Sequence, residues 1–348
     1  MLRKQYFLPA LCLLVVLLSF KKKVHTTACR LNVPTWLPAM PLAKNNVLTK
    51  EGIALGRRLF YDPILSGDRT ITCASCHKQA YAFSDGGARF SKGIDGAQQL
   101  RNTIPLFNLA WYPALFWDGR AATVEEQVFH PVRTSTEMNM SWNEVATRVN
   151  ADSKYRKLFY KAFGDRPIDS TLIAFAIAQF ERSLISYRSK FDRVLAGTDK
   201  LTPDEAQGFV LMNDMTKGDC LHCHTTDADA LGTTHAFSNN GLDSIPTDKG
   251  RLGVTGLQGD MGKFKIPSIR NLGFTAPYMH DGRFATLDDV LDFYNEHVKP
   301  GSYTDSKMGA AYRGGVHLTV IEKEQIITFL NTLNDSAFVE DPQFSNPD

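Results

Sequence analysis

The sequence predicts a mainly α-helical protein of two domains with long loops, and three observations carry that reading. Apolar residues recur at helical spacing in Ile173, Ala176, Ile177, Phe180 and Leu184, and again in Ile326, Ile327, Phe329 and Leu330. Between such segments lie Gly-rich loops with almost no alternating strand pattern. The pentapeptides Cys73-Ala74-Ser75-Cys76-His77 and Cys220-Leu221-His222-Cys223-His224 repeat one CxxCH pattern 147 positions apart. That spacing matches the usual domain length of ~150 residues, so each domain receives one motif.

Residues 1–28 read as an export segment, because Arg3 and Lys4 precede the apolar run Tyr6 to Phe20. Thr26-Thr27-Ala28 offers a small-residue cleavage site, so a cleaved signal peptide is expected. An uncleaved N-terminal anchor and lipidation at Cys29 are the alternatives, and the run is shorter than the ~20 residues of a full membrane span. Residues 29–48 form an extended arm, since Asn32 to Asn46 is rich in proline and lacks periodicity. The first domain, 49–195, opens with a helix near Thr49 to Phe60 and closes with the apolar face of Ile173 to Leu184. In Thr202-Pro203-Asp204-Glu205, Thr202 is the N-cap, Pro203 takes the first helical position and Glu205 completes a capping box. The second domain, 196–348, begins there and ends on a helix capped by Thr319.

CxxCH is the attachment signature of a c-type haem. Two thiols three positions apart reach the two vinyl groups of one porphyrin, and the adjacent histidine ligates its iron. Cys73, Cys76 and His77 are therefore expected to hold one covalent haem c, and Cys220, Cys223 and His224 a second. Only Cys12 and Cys29 lie outside the motifs, so no disulfide framework is available. A formal charge of +2 with 22% charged residues offers no basic stripe for nucleic acid. Covalent haem c is normally attached outside the cytoplasmic membrane, so motifs and export segment both point to the periplasm.

The order of motifs resembles the bacterial di-haem cytochrome c peroxidase and MauG family over nearly the whole mature chain. The matching stretches are CASCHKQAYAFSDG at 73–86, RNTIPLFN at 101–108, FWDGRAATVEEQVFHP at 116–131, Glu137-Met138, GDCLHCH at 218–224 and FKIPSIRNLGFTAPYMHDGRFATLDDVLDFY at 264–294. The resemblance implies two cytochrome c-like haem domains with long haem-wrapping loops, the N-terminal one peroxidatic and the C-terminal one for electron transfer. It also implies one Ca²⁺ between them, held by the Asn102 side chain and the carbonyls of Thr275 and Pro277. Oxygen ligation suits that ion.

Reactivity turns on the sixth ligand of each iron, because an iron ligated on one face can bind peroxide. No histidine occurs between Lys78 and Phe129, so the His77 haem is expected to be open at rest. His130 is discounted, as it falls in a stretch that walls the pocket in the family. By resemblance Glu137 moves the proton during O–O cleavage, Gln127 and Pro131 shape the distal pocket, and Trp117 lies between the haems. At the second haem Tyr294 occupies the register of the family's axial methionine, with Met279 and Met308 as rival ligands to the iron of His224.

The expected activity is reduction of hydrogen peroxide at the N-terminal haem with electrons delivered through the C-terminal haem. The donor would be a small cytochrome c or cupredoxin. One alternative is a MauG-like enzyme that oxidises a partner protein; another is a non-catalytic electron-transfer or haem-sensor protein. No nucleic-acid partner is expected, and a homodimer is left open.

Overall fold

The structure, a computed structural model, describes residues 26–225 and 231–348. Most of the export segment, with Cys12, lies outside the described residues. Helix α1 (Lys50–Tyr61) starts where Thr49 accepts a hydrogen bond from the Gly52 N–H. The one-turn helix α2 (Cys73–Cys76) carries the first motif, followed by α3 (Val124–Arg133), α4 (Trp142–Ala151), α5 (Ser153–Phe163) and α6 (Ser170–Ser183). Then come α7 (Lys190–Leu195), α8 (Pro203–Asn213), α9 (Leu252–Thr255), α10 (Leu287–Asp292), α11 (Val320–Asn331) and α12 (Ser336–Val339). Reciprocal capping boxes begin α8 at Thr202 and Glu205 and α11 at Thr319 and Glu322, where local sequence placed them. Among the described residues the strands are two short ones, β1 (Phe237–Ser238) and β2 (Phe264–Lys265), paired antiparallel.

Each half is organised by one close helix crossing. A Cβ on Gly56 of α1 would stand 1.9 Å from the Ala176 carbonyl oxygen of α6, and one on Gly208 of α8 would stand 2.0 Å from the Gln325 carbonyl oxygen of α11. Glycine is therefore required at both crossings for the backbones to meet. Leu55, Leu59, Phe159, Ile173 and Ile177 fill the core around the first crossing, and Leu211, Leu221, Ile326 and Phe329 that around the second.

Helix α6 differs from the expected one-faced element: from Leu172 to Ser183 nearly every residue is buried, including Gln179, Glu181 and Arg182. Two of these polar side chains, Gln179 and Arg182, find partners from elsewhere in the fold. Gln179 accepts from the Thr49 N–H at 2.9 Å and donates to Asn46 Oδ1 at 2.8 Å, and Arg182 pairs with Glu125 of α3.

The arm crosses both halves. Leu37 packs with Trp111, Ile185 and Leu231, and the Trp36 indole N–H donates to Asp192 at 3.2 Å. The C-terminal tail returns to the first half. Phe338 is fully buried with Phe83 and Phe107, Arg57 donates to the Ser345 carbonyl at 2.6 Å, and Tyr61 donates to that of Phe344 at 2.8 Å. Helix α7 likewise sends Phe191 into the second core, and its Asp192 forms a buried ion pair with Arg270. Among the described residues no helix is long and apolar enough to cross a membrane.

Candidate active site

A cavity of about 820 Å³ in the first half is lined by Cys73, Cys76, His77, Gln127, Pro131, Glu137 and Trp117. Thr72 caps α2 by accepting from the Ser75 N–H at 3.0 Å, while Ser75 Oγ accepts from the Thr72 N–H at 3.0 Å. This capping box fixes the turn that presents the thiols. His77 Nδ1 lies 2.8 Å from the Phe83 carbonyl oxygen, which can only accept, so Nδ1 carries the proton and Nε2 is left free to ligate. Burial lowers the His77 pKa and keeps the ring neutral, the form that binds a metal.

Gln127 and Pro131 lie one turn apart on α3 and share a face. Gln127 Oε1 is buried with no hydrogen-bond partner, an acceptor available to a molecule in the cavity. Glu137 follows α3 in a turn pinned by its own carbonyl, which accepts from the Ile94 N–H at 2.9 Å. Gly93 permits that approach: a Cβ there would stand 2.1 Å from the Thr136 carbonyl oxygen. Burial raises the Glu137 pKa, with the Arg120 charge opposing it. His77 is the one histidine lining this cavity among the described residues, and His130 instead packs edge-on to Phe116 with ring centroids 5.2 Å apart.

The second cavity, about 500 Å³, is lined by Cys220, Cys223, His224, Tyr294, Met279 and Met308. His224 Nδ1 lies 2.9 Å from the Pro267 carbonyl oxygen, repeating the arrangement of the first half. Tyr294 sits in a π-helical turn, Phe293–His297, which continues α10 and turns the phenol inward. Its oxygen accepts from Asn240 Nδ2 at 3.0 Å, and the same nitrogen lies 3.6 Å from Met279 Sδ.

These residues fit covalent haem better than a zinc or dithiol redox site. None of the four motif thiols is in a disulfide, and burial pushes Cys76 up to about 11, Cys220 up to about 12 and Cys73 higher still. Poised thiolates have depressed values instead. No group of three or more His, Cys, Asp or Glu residues suited to a metal ion occurs among the described residues.

Trp117, Asn102 and Lys265 line both cavities. The Trp117 indole N–H donates to the Asn102 carbonyl at 2.8 Å, and its own carbonyl accepts from the Lys265 N–H at 2.7 Å. Trp117 is therefore held in the wall by one hydrogen bond at its indole and one at its main chain. Asn102, Thr275 and Pro277 all reach the second cavity; Asn102 Nδ2 donates to the Ala88 and Arg89 carbonyls at 3.3 and 3.1 Å, leaving Oδ1 for a cation.

Sequence reading missed two buried ionisable groups here. Glu181 of α6 lines the first cavity with Oε2 unpartnered, and burial pushes its pKa up to about 8. Lys265 is 4% exposed. Glu181 falls on a helix whose pattern reads as core, and Lys265 lies in the 264–294 stretch that carried the resemblance without a role being given to the lysine.

A helical frame with two CxxCH cavities and one shared wall defines a class, the c-type haem oxidoreductases. The family described as di-haem cytochrome c peroxidase matches residues 50–200. The methylamine utilization protein MauG of Methylophilus methylotrophus is 33% identical over 300 residues, 86% of this chain and 87% of that one. A cytochrome c551 peroxidase of Nitrosomonas europaea is 35% identical over 262 residues, 73% of this chain and 76% of that one. A crystal structure of a MauG-like protein associated with microbial copper homeostasis superposes with a TM-score of 0.84 at 34% identity, covering 92% of this chain and 99% of that one. The chain belongs to the di-haem cytochrome c peroxidase family and is a peroxidase-type oxidoreductase.

Proposed function

We propose that the protein reduces hydrogen peroxide in the first cavity with two electrons that enter through the second. The observation that carries this reading is the shared wall, in which Trp117 lines both cavities while Glu137 and Gln127 line only the first. Cys73, Cys76 and His77 would hold a haem whose iron would supply the binding site for peroxide and the two electrons that, with two protons, convert it to two waters. Glu137 takes the proton from the inner peroxide oxygen and returns it to the outer one, which then leaves as water. Gln127, whose Oε1 is unpartnered, offers a hydrogen bond to peroxide in the cavity, and Pro131 presents its ring on the same face of α3. Trp117 relays the electrons. Tyr294 and His224 line the second cavity and would both ligate the iron of a haem bound there, and Asn102, Thr275 and Pro277 would hold one Ca²⁺ between the halves. The protein works in the periplasm, and its donor is a small cytochrome c or cupredoxin.

A second reading, oxidation of a partner protein's side chain, is favoured by one observation. Tyr294 lines the second cavity, and a hard anionic oxygen donor there favours oxidised iron over acceptance of electrons from a donor. Peroxide consumption by the purified ferric protein, with and without a reduced small cytochrome, separates the readings. Steady turnover that oxidises the cytochrome is expected. Peroxide reaction followed by a persistent oxidised state that ignores the cytochrome selects the second reading, and no peroxide reaction leaves a non-catalytic electron carrier or sensor.

A further inference from the structure

Lys265 places a buried ammonium in the wall between the cavities. Strand pairing sets it opposite Phe237, its N–H is committed to the Trp117 carbonyl, and its side chain is 4% exposed. Nζ lies 4.2 Å from the centroid of the Tyr112 ring. Among the described residues no carboxylate pairs with Nζ. The nearby acid Asp118 already receives Arg101 at 2.6 Å and Arg120 at 2.9 Å, and Arg101 is further engaged by Asp248 at 2.7 Å. Three cations thus meet two carboxylates, and the unmatched charge is the most buried of the three.

An ammonium removed from water needs an anion, and contact with one aromatic face compensates only part of its lost hydration. Burial lowers the Lys265 pKa to about 7, and the Asp118 charge opposes it only in part. Both cavities that Lys265 lines carry the CxxCH signature of haem, whose propionates are carboxylates. We propose that Lys265 is a carboxylate-binding residue, its Nζ pairing with a propionate of one of the two haems whose cavities it lines. This rests on the reading that both cavities hold haem. The pair places positive charge at the porphyrin edge beside Trp117, which favours the reduced iron and biases electron flow across the wall.

The test uses the exported protein with its haems attached, comparing parent, Lys265→Met and Lys265→Arg by spectroelectrochemical titration, with a pyridine haemochrome count for each. Lys265→Met should lower the midpoint of one haem by tenfold or more in its reduced-to-oxidised ratio, ~59 mV for one electron, and Lys265→Arg should restore most of it. The spectrum of the haem that moves assigns the propionate to the His77 or the His224 side. Where Lys265→Met fails to accumulate, the resonance Raman propionate bending modes of parent and Lys265→Arg are compared, and a change in one haem's mode is expected. Two haems with unmoved midpoints, equal shifts in both haems, an arginine variant that behaves like methionine, or propionate modes indifferent to Lys265→Arg overturn the pairing alone. A parent without covalent haem overturns it together with the cofactor reading.

Discussion

Asn240 donates from Nδ2 to the Tyr294 phenol oxygen at 3.0 Å within the second cavity. The bond holds the phenol facing the cavity that His224 also lines, and it favours the phenolate that burial alone would oppose. Tyr294→Met should raise the potential of the second haem and introduce the near-infrared band of a His/Met haem, which magnetic circular dichroism detects. A His/Met band already present in the parent, and lost in Met279→Leu or Met308→Leu, would give the ligand role to methionine.

Glu137 lines the first cavity and its pKa is raised by burial. Replacing it with glutamine should slow peroxide cleavage by ~100- to 10,000-fold while leaving both haem spectra in place. Because the base must be ionised to accept a proton, the parent's rate should fall as pH drops, on a limb above the ordinary glutamate range. Stopped-flow rates across pH check both, and equal rates in parent and variant remove Glu137 from the reaction.

The Glu181 carboxyl is buried on α6 and pushed up to about 8 from an ordinary 4.5. The folded protein then keeps a proton that the unfolded chain loses between those values, so stability falls as pH rises through that window, by up to about 1.4 kcal/mol per pH unit. Glu181→Gln should flatten the decline and stabilise the protein near pH 8. Thermal unfolding from pH 5 to 8 that is parallel in parent and variant contradicts this.

Gly56 and Gly208 sit where a side chain would overlap a carbonyl of the facing helix. Gly56→Ala and Gly208→Ala should each cost about 1–3 kcal/mol through forced helix separation, more than the few tenths typical of exposed substitutions. Denaturant midpoints measure the loss.

Cofactor load is tested by Cys220→Ala with Cys223→Ala, which should retain one covalent haem where the parent has two. Haem-stained denaturing gels and pyridine haemochrome titration report the count, and a parent with a single haem refutes the two-site reading.

The helix starts at Thr49, Thr202 and Thr319 were legible in the chain because capping is a contract among residues three apart. The CxxCH turns were legible for the same reason: attachment chemistry needs adjacent residue types and no distant partner. The tertiary structure alone decided that α6 is buried all round, that the arm spans both halves and that the tail after Asp335 returns to the first core. It alone set Lys265 beside Trp117 in the wall between the two cavities, a place its sequence neighbours do not reveal. Those outcomes depend on which surfaces meet across more than a hundred residues of chain, where burial and pairing of polar groups, rather than local spacing, determine the arrangement.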